Sequence, residues 1–166
     1  MANKGKGFEI EVGMANLQYQ RRGIALIQKI STPWTVVRKG KQIVSAFPEG
    51  QSTLDFRGTV TPGISISFDC KETKEDKGLP LANIQDHQID YMRQALTVGE
   101  ISFILCYLTK KDKRYLISGQ TVISIWDKWK VNQGKRGFNF IPTENMREIG
   151  SKNGIILDYL EGLEVN

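Results

Sequence analysis

The sequence predicts an α/β (α+β) fold, a central mixed β-sheet flanked by helices. Two features of the chain lead there. Segments with helical spacing of apolar residues open the chain and recur after its midpoint, and strand-period segments lie between and after them. The 166 residues, 40% apolar and 25% charged, suit one hydrophobic core of the globular kind, so residues 1–166 are read as a single domain. No internal repeat or low-complexity tail interrupts that reading.

Residues 8–22 read as a helix, because Phe8, Val12 and Ala15 or Tyr19 can share a face and Gly23 closes it. Residues 24–30 form an apolar strand, broken by Ser31, Thr32 and Pro33. Residues 34–37 and 42–47 are two arms around Arg38, Lys39, Gly40 and Lys41, a β-hairpin with a basic tip. The DFRG segment around Arg57 reads as a turn. Residues 63–71 alternate cleanly and form a strand, followed by a polar loop up to Pro80. A second helix is expected after Asn83, with Asp86 as its capping-box partner, running to about Leu96. Strands over 100–108 and 114–118 flank the charged turn at 110–113, and a short helix covers 120–129. After a polar loop at 132–137, Thr143 caps a helical turn or two before an apolar strand at 155–157.

The start, MANKGKGFE, lacks the apolar segment of a secretory signal, and no apolar run reaches membrane-spanning length; a cytoplasmic protein is expected. Cys70 and Cys106 fall in apolar strands and read as reduced core residues, and one histidine with two separated cysteines argues against structural zinc. Charge is uneven. Residues 1–48 carry eight Lys or Arg against two Glu, residues 49–100 five against nine acidic, and the remainder is basic again through groups such as Lys128, Lys130, Lys135 and Arg136. An acidic centre between basic flanks suits a metal site in a polyanion-binding surface; ordinary solubilising charge would give the same totals.

Strand 63–71 carries the chemistry. Ile64, Ile66, Phe68 and Cys70 point one way, and Ser65, Ser67, Asp69 and Lys71 the other. An acid-x-lysine pattern also occurs at Glu72 with Lys74 and at Glu75 with Lys77, but only Asp69 and Lys71 lie on a strand that fixes both, roughly 6–7 Å apart. With Asp55 just upstream, the pair fits a metal-dependent phosphodiesterase. Asp55 and Asp69 offer hard oxygen ligands for Mg²⁺ or Mn²⁺, the metal polarises a phosphate and acidifies a water, and Lys71 orients that water or stabilises transition-state charge. Glu9 completes the ligand set if the first helix packs across the strand ends. A purely structural salt bridge at a sheet edge is the alternative.

The runs STLDFRG, SFDCKETKEDKGLPL and IQDHQIDYMRQAL resemble the central signature of the RecU-type Holliday junction resolvases, members of the PD-(D/E)xK nuclease superfamily. The likeness extends through KGKGFE and NLQYQRRGIALIQKISTP upstream, and through GEISFILCYL and RYLISGQTVISIWDKW downstream. It implies a restriction-endonuclease-like core with a short projecting stalk, the hairpin at about 34–50. It places the family's aspartate on Asp55, its second carboxylate on Asp69, its lysine on Lys71, its helical glutamate on Glu9 and the glutamine of its DHQ run on Gln88. Asp69 stands where many relatives have Glu. The resemblance also implies a homodimer that binds four-way DNA junctions and makes paired nicks leaving 5′-phosphate and 3′-hydroxyl ends, with Mg²⁺ as cofactor.

DNA contacts are expected from Arg38, Lys39 and Lys41 at the hairpin tip, from Arg57 beside Asp55, and from Lys74, Lys110 and Lys111 in charged loops. Trp34 and Phe47 at the hairpin base are expected in core or dimer packing, and Trp126 and Trp129 in the core. Two departures from the family stand out: a basic arm reduced to Lys4 and Lys6, and only about 20 residues between Pro33 and Asp55. They leave open a related nuclease preferring flaps, forks or duplex ends, and a catalytically silent DNA-binding accessory protein.

Overall fold

Phe8, Val12, Ala15 and Tyr19 recur at helical spacing and are all buried on one face of α1 (Lys6–Arg21). The computed structural model describes residues 6–50, 53–132 and 139–163, so Lys4, Lys135 and Arg136 lie outside the described residues, as does most of the loop at 132–137. Gly23 adopts φ +65° just past α1, where the Ile24 N–H reaches back to the Tyr19 carbonyl at 2.9 Å, a left-handed stop that glycine adopts at little cost. The chain then runs through β1 (Ala25–Lys29), β2 (Trp34–Lys39), β3 (Gln42–Pro48), β4 (Phe56–Val60), β5 (Ile64–Thr73) and β6 (Gly78–Pro80). It continues as α2 (Asp86–Thr97), β7 (Ile101–Leu108), β8 (Lys113–Ser118), α3 (Gly119–Val131), β9 (Phe140–Pro142) and β10 (Arg147–Ile149).

Six strands form one mixed sheet in the order β1-β4-β5-β7-β8-β10, with β5 and β7 parallel and the other neighbours antiparallel. The expected sheet flanked by helices is present. One face packs under α1 and the C-terminal segment around Ile155, Leu157 and Tyr159. The other packs under α2 and α3 through Ile89, Met92, Val122 and Trp126. Alternation on β5 divides as expected, Ile66 and Phe68 entering the first core and Asp69 and Lys71 facing α2. Phe56, Phe68 and Phe103 stack across β4, β5 and β7 with ring centroids 5.1 and 4.8 Å apart. Cross-strand aromatic pairs of this kind pin register, and a one-residue slip would turn Asp69 into the apolar core.

Several expectations need correction. The DFRG segment is not a turn, since its Phe56, Arg57 and Gly58 open strand β4. Its glycine is there for contact, since a Cβ on Gly58 would lie 2.2 Å from the Leu26 carbonyl oxygen of β1. Helix α2 is capped by Gln85 with Gln88 in a reciprocal capping box, not by Asn83 with Asp86. Residues 155–157 form no strand; the edge strand is β10, and Thr143 begins only a 3-10 turn with no side-chain cap. The polar loop before Pro80 contains β6, which pairs with β9. The hairpin arms run further than expected, leaving Gly40 and Lys41 as the turn and putting Arg38 and Lys39 in β2.

Candidate active site

Register brings the site together. Phe56 pairs with Phe68, so Asp55, one residue before β4, comes beside Asp69 on β5. The Cys70 backbone N–H donates to Asp55 Oδ2 at 2.8 Å, and the Ile30 N–H donates to the Asp55 carbonyl at 2.7 Å. The hairpin therefore leaves and re-enters the sheet at Asp55 itself. Strand β5 is interior to the sheet, so the pair does not lie at a sheet edge.

Asp69 is 2% exposed, and its Oδ2 has no hydrogen-bond donor among the described residues. Lys71 Nζ lies 2.7 Å from that oxygen, an ion contact whose angles fall outside hydrogen-bond geometry. The Lys71 ammonium donates instead to Gln88 Oε1 at 3.0 Å. Burial, and next the neighbouring Asp69 carboxylate, push the Asp55 carboxyl up to about 6, against the pull of the Cys70 N–H and Lys71. A buried and a half-buried carboxyl group crowded together, with the Lys71 ammonium beside them, form a hard-oxygen site whose two like charges disfavour each other. That is the donor set a divalent cation of the Mg²⁺ class takes, one or two carboxylates with water completing its shell.

Glu9 is not in this cluster. It projects from α1 and forms an ion pair with Lys29, near enough to Cys70 to act on that thiol together with Asp55 and Asp69. That pairing, more than the charge of Asp55, raises the Lys29 ammonium above its ordinary value. Among the described residues no three His, Cys, Asp or Glu side chains gather to hold a metal by themselves.

The basic residues fall into three groups. Arg38, Lys39 and Lys41 are exposed at the hairpin tip. Lys74, Lys110 and Lys111 are exposed at the sheet end where β5 and β7 finish, joined there by the Thr109 N–H to the Thr73 carbonyl at 2.9 Å. Arg57 lies on β4, opposite Ser67, and pairs with Glu100 at 3.1 Å. Sequence reasoning missed Glu100; its one signal was a carboxylate at the head of an otherwise apolar strand. Trp126 is buried against Trp129 as expected, whereas Trp34 and Phe47 are at least half exposed and outside the core. Hairpin register separates these two, Trp34 sharing a face with Val36 while Phe47 pairs with Thr35 on the other.

A family model described as RecU, Recombination protein U, matches residues 3–165. The chain belongs to the RecU family. It is 35% identical to the Holliday junction resolvase RecU of Oenococcus oeni, over 97% of this chain and 84% of that one. The RecU resolvase of Leuconostoc citreum is 33% identical, over 97% of this chain and 80% of the relative. A solved structure of Archaeoglobus fulgidus Hjc, a Holliday junction resolvase from an archaeal hyperthermophile, aligns with 87% of this chain and 95% of its own at 12% identity and a TM-score of 0.49. In this RecU-family chain no helix among the described residues is long and apolar enough to cross a membrane.

Proposed function

We propose that this chain is a metal-dependent, structure-specific DNA endonuclease that resolves Holliday junctions by paired nicks leaving 5′-phosphate and 3′-hydroxyl ends. The observation that carries it is the crowded Asp55–Asp69 pair, with the Lys71 ammonium 2.7 Å from Asp69, in a chain of the RecU family. Asp55 and Asp69 would hold the cation, and Glu9 would join them once released from Lys29. When bound, Mg²⁺ or Mn²⁺ supplies charge neutralisation at the phosphate and lowers the pKa of the attacking water. Lys71 keeps its ammonium beside the carboxylates through Gln88, where it orients that water and stabilises charge developing on phosphate oxygens. Gln88 Nε2 has no protein partner among the described residues and is available to a phosphate oxygen.

Residues 1–166 form one restriction-endonuclease-like domain, and the hairpin at about 34–50 is a stalk rooted at the active site. Two copies act together so that both scissile strands meet a site. Mg²⁺ is the cofactor, and the cytoplasm, where chromosomal DNA lies, is the location.

Cleavage rates on a four-way junction, a fork and a linear duplex at equal strand concentration test the reading. Junction cleavage should dominate, with paired, ligatable nicks. Equal rates on all three would favour a nuclease of broader preference, a reading that the hairpin's six- and seven-residue arms motivate. At strand rise they extend only roughly 20 Å. Binding without cleavage in Mg²⁺ or Mn²⁺ would favour an accessory protein.

A further inference from the structure

The sheet face that carries Asp69 also carries a second polar constellation, centred on Glu100. Glu100 is 5% exposed and accepts hydrogen bonds from Arg57 Nε at 3.3 Å, Arg57 Nη2 at 3.1 Å, Ser65 Oγ at 2.6 Å and the Tyr91 hydroxyl at 3.2 Å. Burial pushes its carboxyl up, but hydrogen bonds from Ser65 and Ser67 and the Arg57 guanidinium outweigh this and hold it below its ordinary value. Glu100 is therefore a fixed anion under Arg57. An ion pair with an exposed arginine contributes little to stability, so its consequence is geometric. One edge of the guanidinium is locked to Glu100, and the Nη1 edge has no protein partner among the described residues. The Arg57 side chain is 58% exposed.

The position of this free edge matters. Arg57 is two residues beyond Asp55 on the same face, roughly 6–7 Å away by strand geometry, comparable with the step between successive phosphates of a nucleic acid strand. Two recesses, of about 1160 and 430 Å³, meet at Arg57 and Ser65, the residues they share. The smaller is floored by Leu26, Gln28 and Thr59, exposed residues of β1 and β4 on the half of the face that α2 and α3 leave open.

We propose that Arg57, held in one plane by Glu100, itself fixed by Ser65 and Tyr91, clamps a phosphate adjacent to the scissile one, and that the open β1–β4 trough is the track of the cut strand away from the site. Glu100 is a positioning residue; Arg57 makes the contact. A planar donor edge next to a carboxylate-bound edge suits charge-assisted pairing with phosphate, which a lysine point charge does not reproduce. The inference rests on the nuclease reading above.

The test replaces, one at a time, each phosphate flanking the cleaved bond by an uncharged methylphosphonate in a DNA that the wild type cuts. Wild-type cleavage should fall at least about tenfold for one of the two positions, the scale of one lost charge-assisted hydrogen bond. Arg57→Ala should cut unmodified DNA with raised KM and be indifferent to that methylphosphonate, and Arg57→Lys should recover only part of the sensitivity. Glu100→Gln should weaken the discrimination, and Arg57→Ala/Glu100→Gln should lose no more than Arg57→Ala alone, whereas a merely structural Glu100 would add its own loss. If Glu100→Gln fails to fold, Tyr91→Phe serves in the same cycle. Wild-type indifference to both substitutions, or full sensitivity in Arg57→Ala, overturns the clamp while leaving the nuclease reading intact. Failure of the wild type to cut any DNA overturns that reading and the clamp together.

Discussion

Lys71 Nζ donates to Gln88 Oε1 at 3.0 Å, and the same oxygen accepts the Gln85 N–H at 3.1 Å. One amide oxygen thus caps α2 and orients the lysine on β5. The helix start and the ammonium are set by a single side chain, so the register of α2 against the sheet reaches the chemistry directly.

Separable effects are expected from the two partners. Lys71→Ala should keep the fold and lose cleavage by on the order of 10²–10³, the usual scale for removing one transition-state donor. Gln88→Ala should lose both a cap, costing about 1 kcal/mol of stability, and part of the cleavage rate through a wandering Lys71. Single-turnover cleavage and thermal melts of both variants check this; wild-type turnover in Lys71→Ala would reassign the lysine.

The crowding of Asp55 against Asp69 makes a pH prediction. The folded carboxyl of Asp55 is raised to about 6 from an ordinary 3.8, so the native state binds its proton more tightly than the unfolded state does. Its contribution to stability is therefore fully present below about pH 4 and is lost as pH rises through about 6, on the order of 1–3 kcal/mol. In EDTA, Asp55→Asn should melt higher than wild type at pH 8, with the difference closing toward pH 4. Mg²⁺ should raise the wild-type melting temperature more at pH 8 than at pH 5.5. Asp55→Asn and Asp69→Asn should both lose most cleavage while retaining DNA binding without metal; joint loss of folding and binding, by circular dichroism and gel shift, would make these residues structural.

How much of this was legible in the sequence follows from which signals were local. The β5 alternation places Asp69 and Lys71 on one face whatever the tertiary fold, because side-chain period alone decides it. Strand β4 is hidden because Gly58 makes the DFRG run read as a turn, although that glycine serves close approach to β1. The α2 cap was misplaced because Gln85 is a less common capping residue than Asn83, and only the bond between Gln88 and the Gln85 N–H identifies it. Glu100 could not be assigned to Arg57 from sequence, since 43 residues separate them and the contact depends on β4, β5 and β7 being neighbours. The position of Glu9 depends on how α1 lies across the sheet, which its own periodicity does not encode.

Dimerisation is predicted from the hairpin. Trp34, Val36, Ile43 and Phe47 are 60%, 42%, 56% and 50% exposed, an apolar surface too large for a short hairpin to bury within its own chain. Light scattering at micromolar concentration should give the mass of two chains. Because Trp34 and Val36 share a face apart from Phe47, Trp34→Ser with Val36→Ser should shift the mass toward one chain more than Phe47→Ser does. A single-chain mass for wild type, unchanged by junction DNA, would remove the dimer.

The hairpin tip supplies the test of junction recognition. Arg38 and Lys39 end β2 and pair with Ile43 and Gln42, and Gly40, at φ +62°, turns the chain into Lys41. Successive strand residues point to opposite faces, so Arg38 and Lys39 direct charge to both sides of the tip. That distribution suits insertion between DNA arms better than contact with one duplex surface. Each phosphate contact releases counterions, and losing it should reduce the salt slope of binding by roughly 0.9. Changing all three to Ala should therefore lower the slope on a four-way junction by up to roughly 2.7 and weaken binding there more than on linear duplex, which cannot enclose a tip. Fluorescence anisotropy across a salt series on both substrates measures it. Equal constants for wild type and the triple variant on junction DNA would make the tip an ordinary solvated turn. Recognition would then rest on the Lys110 to Arg114 turn or the Lys128 to Arg136 segment, where the same series on alanine variants should show the missing slope.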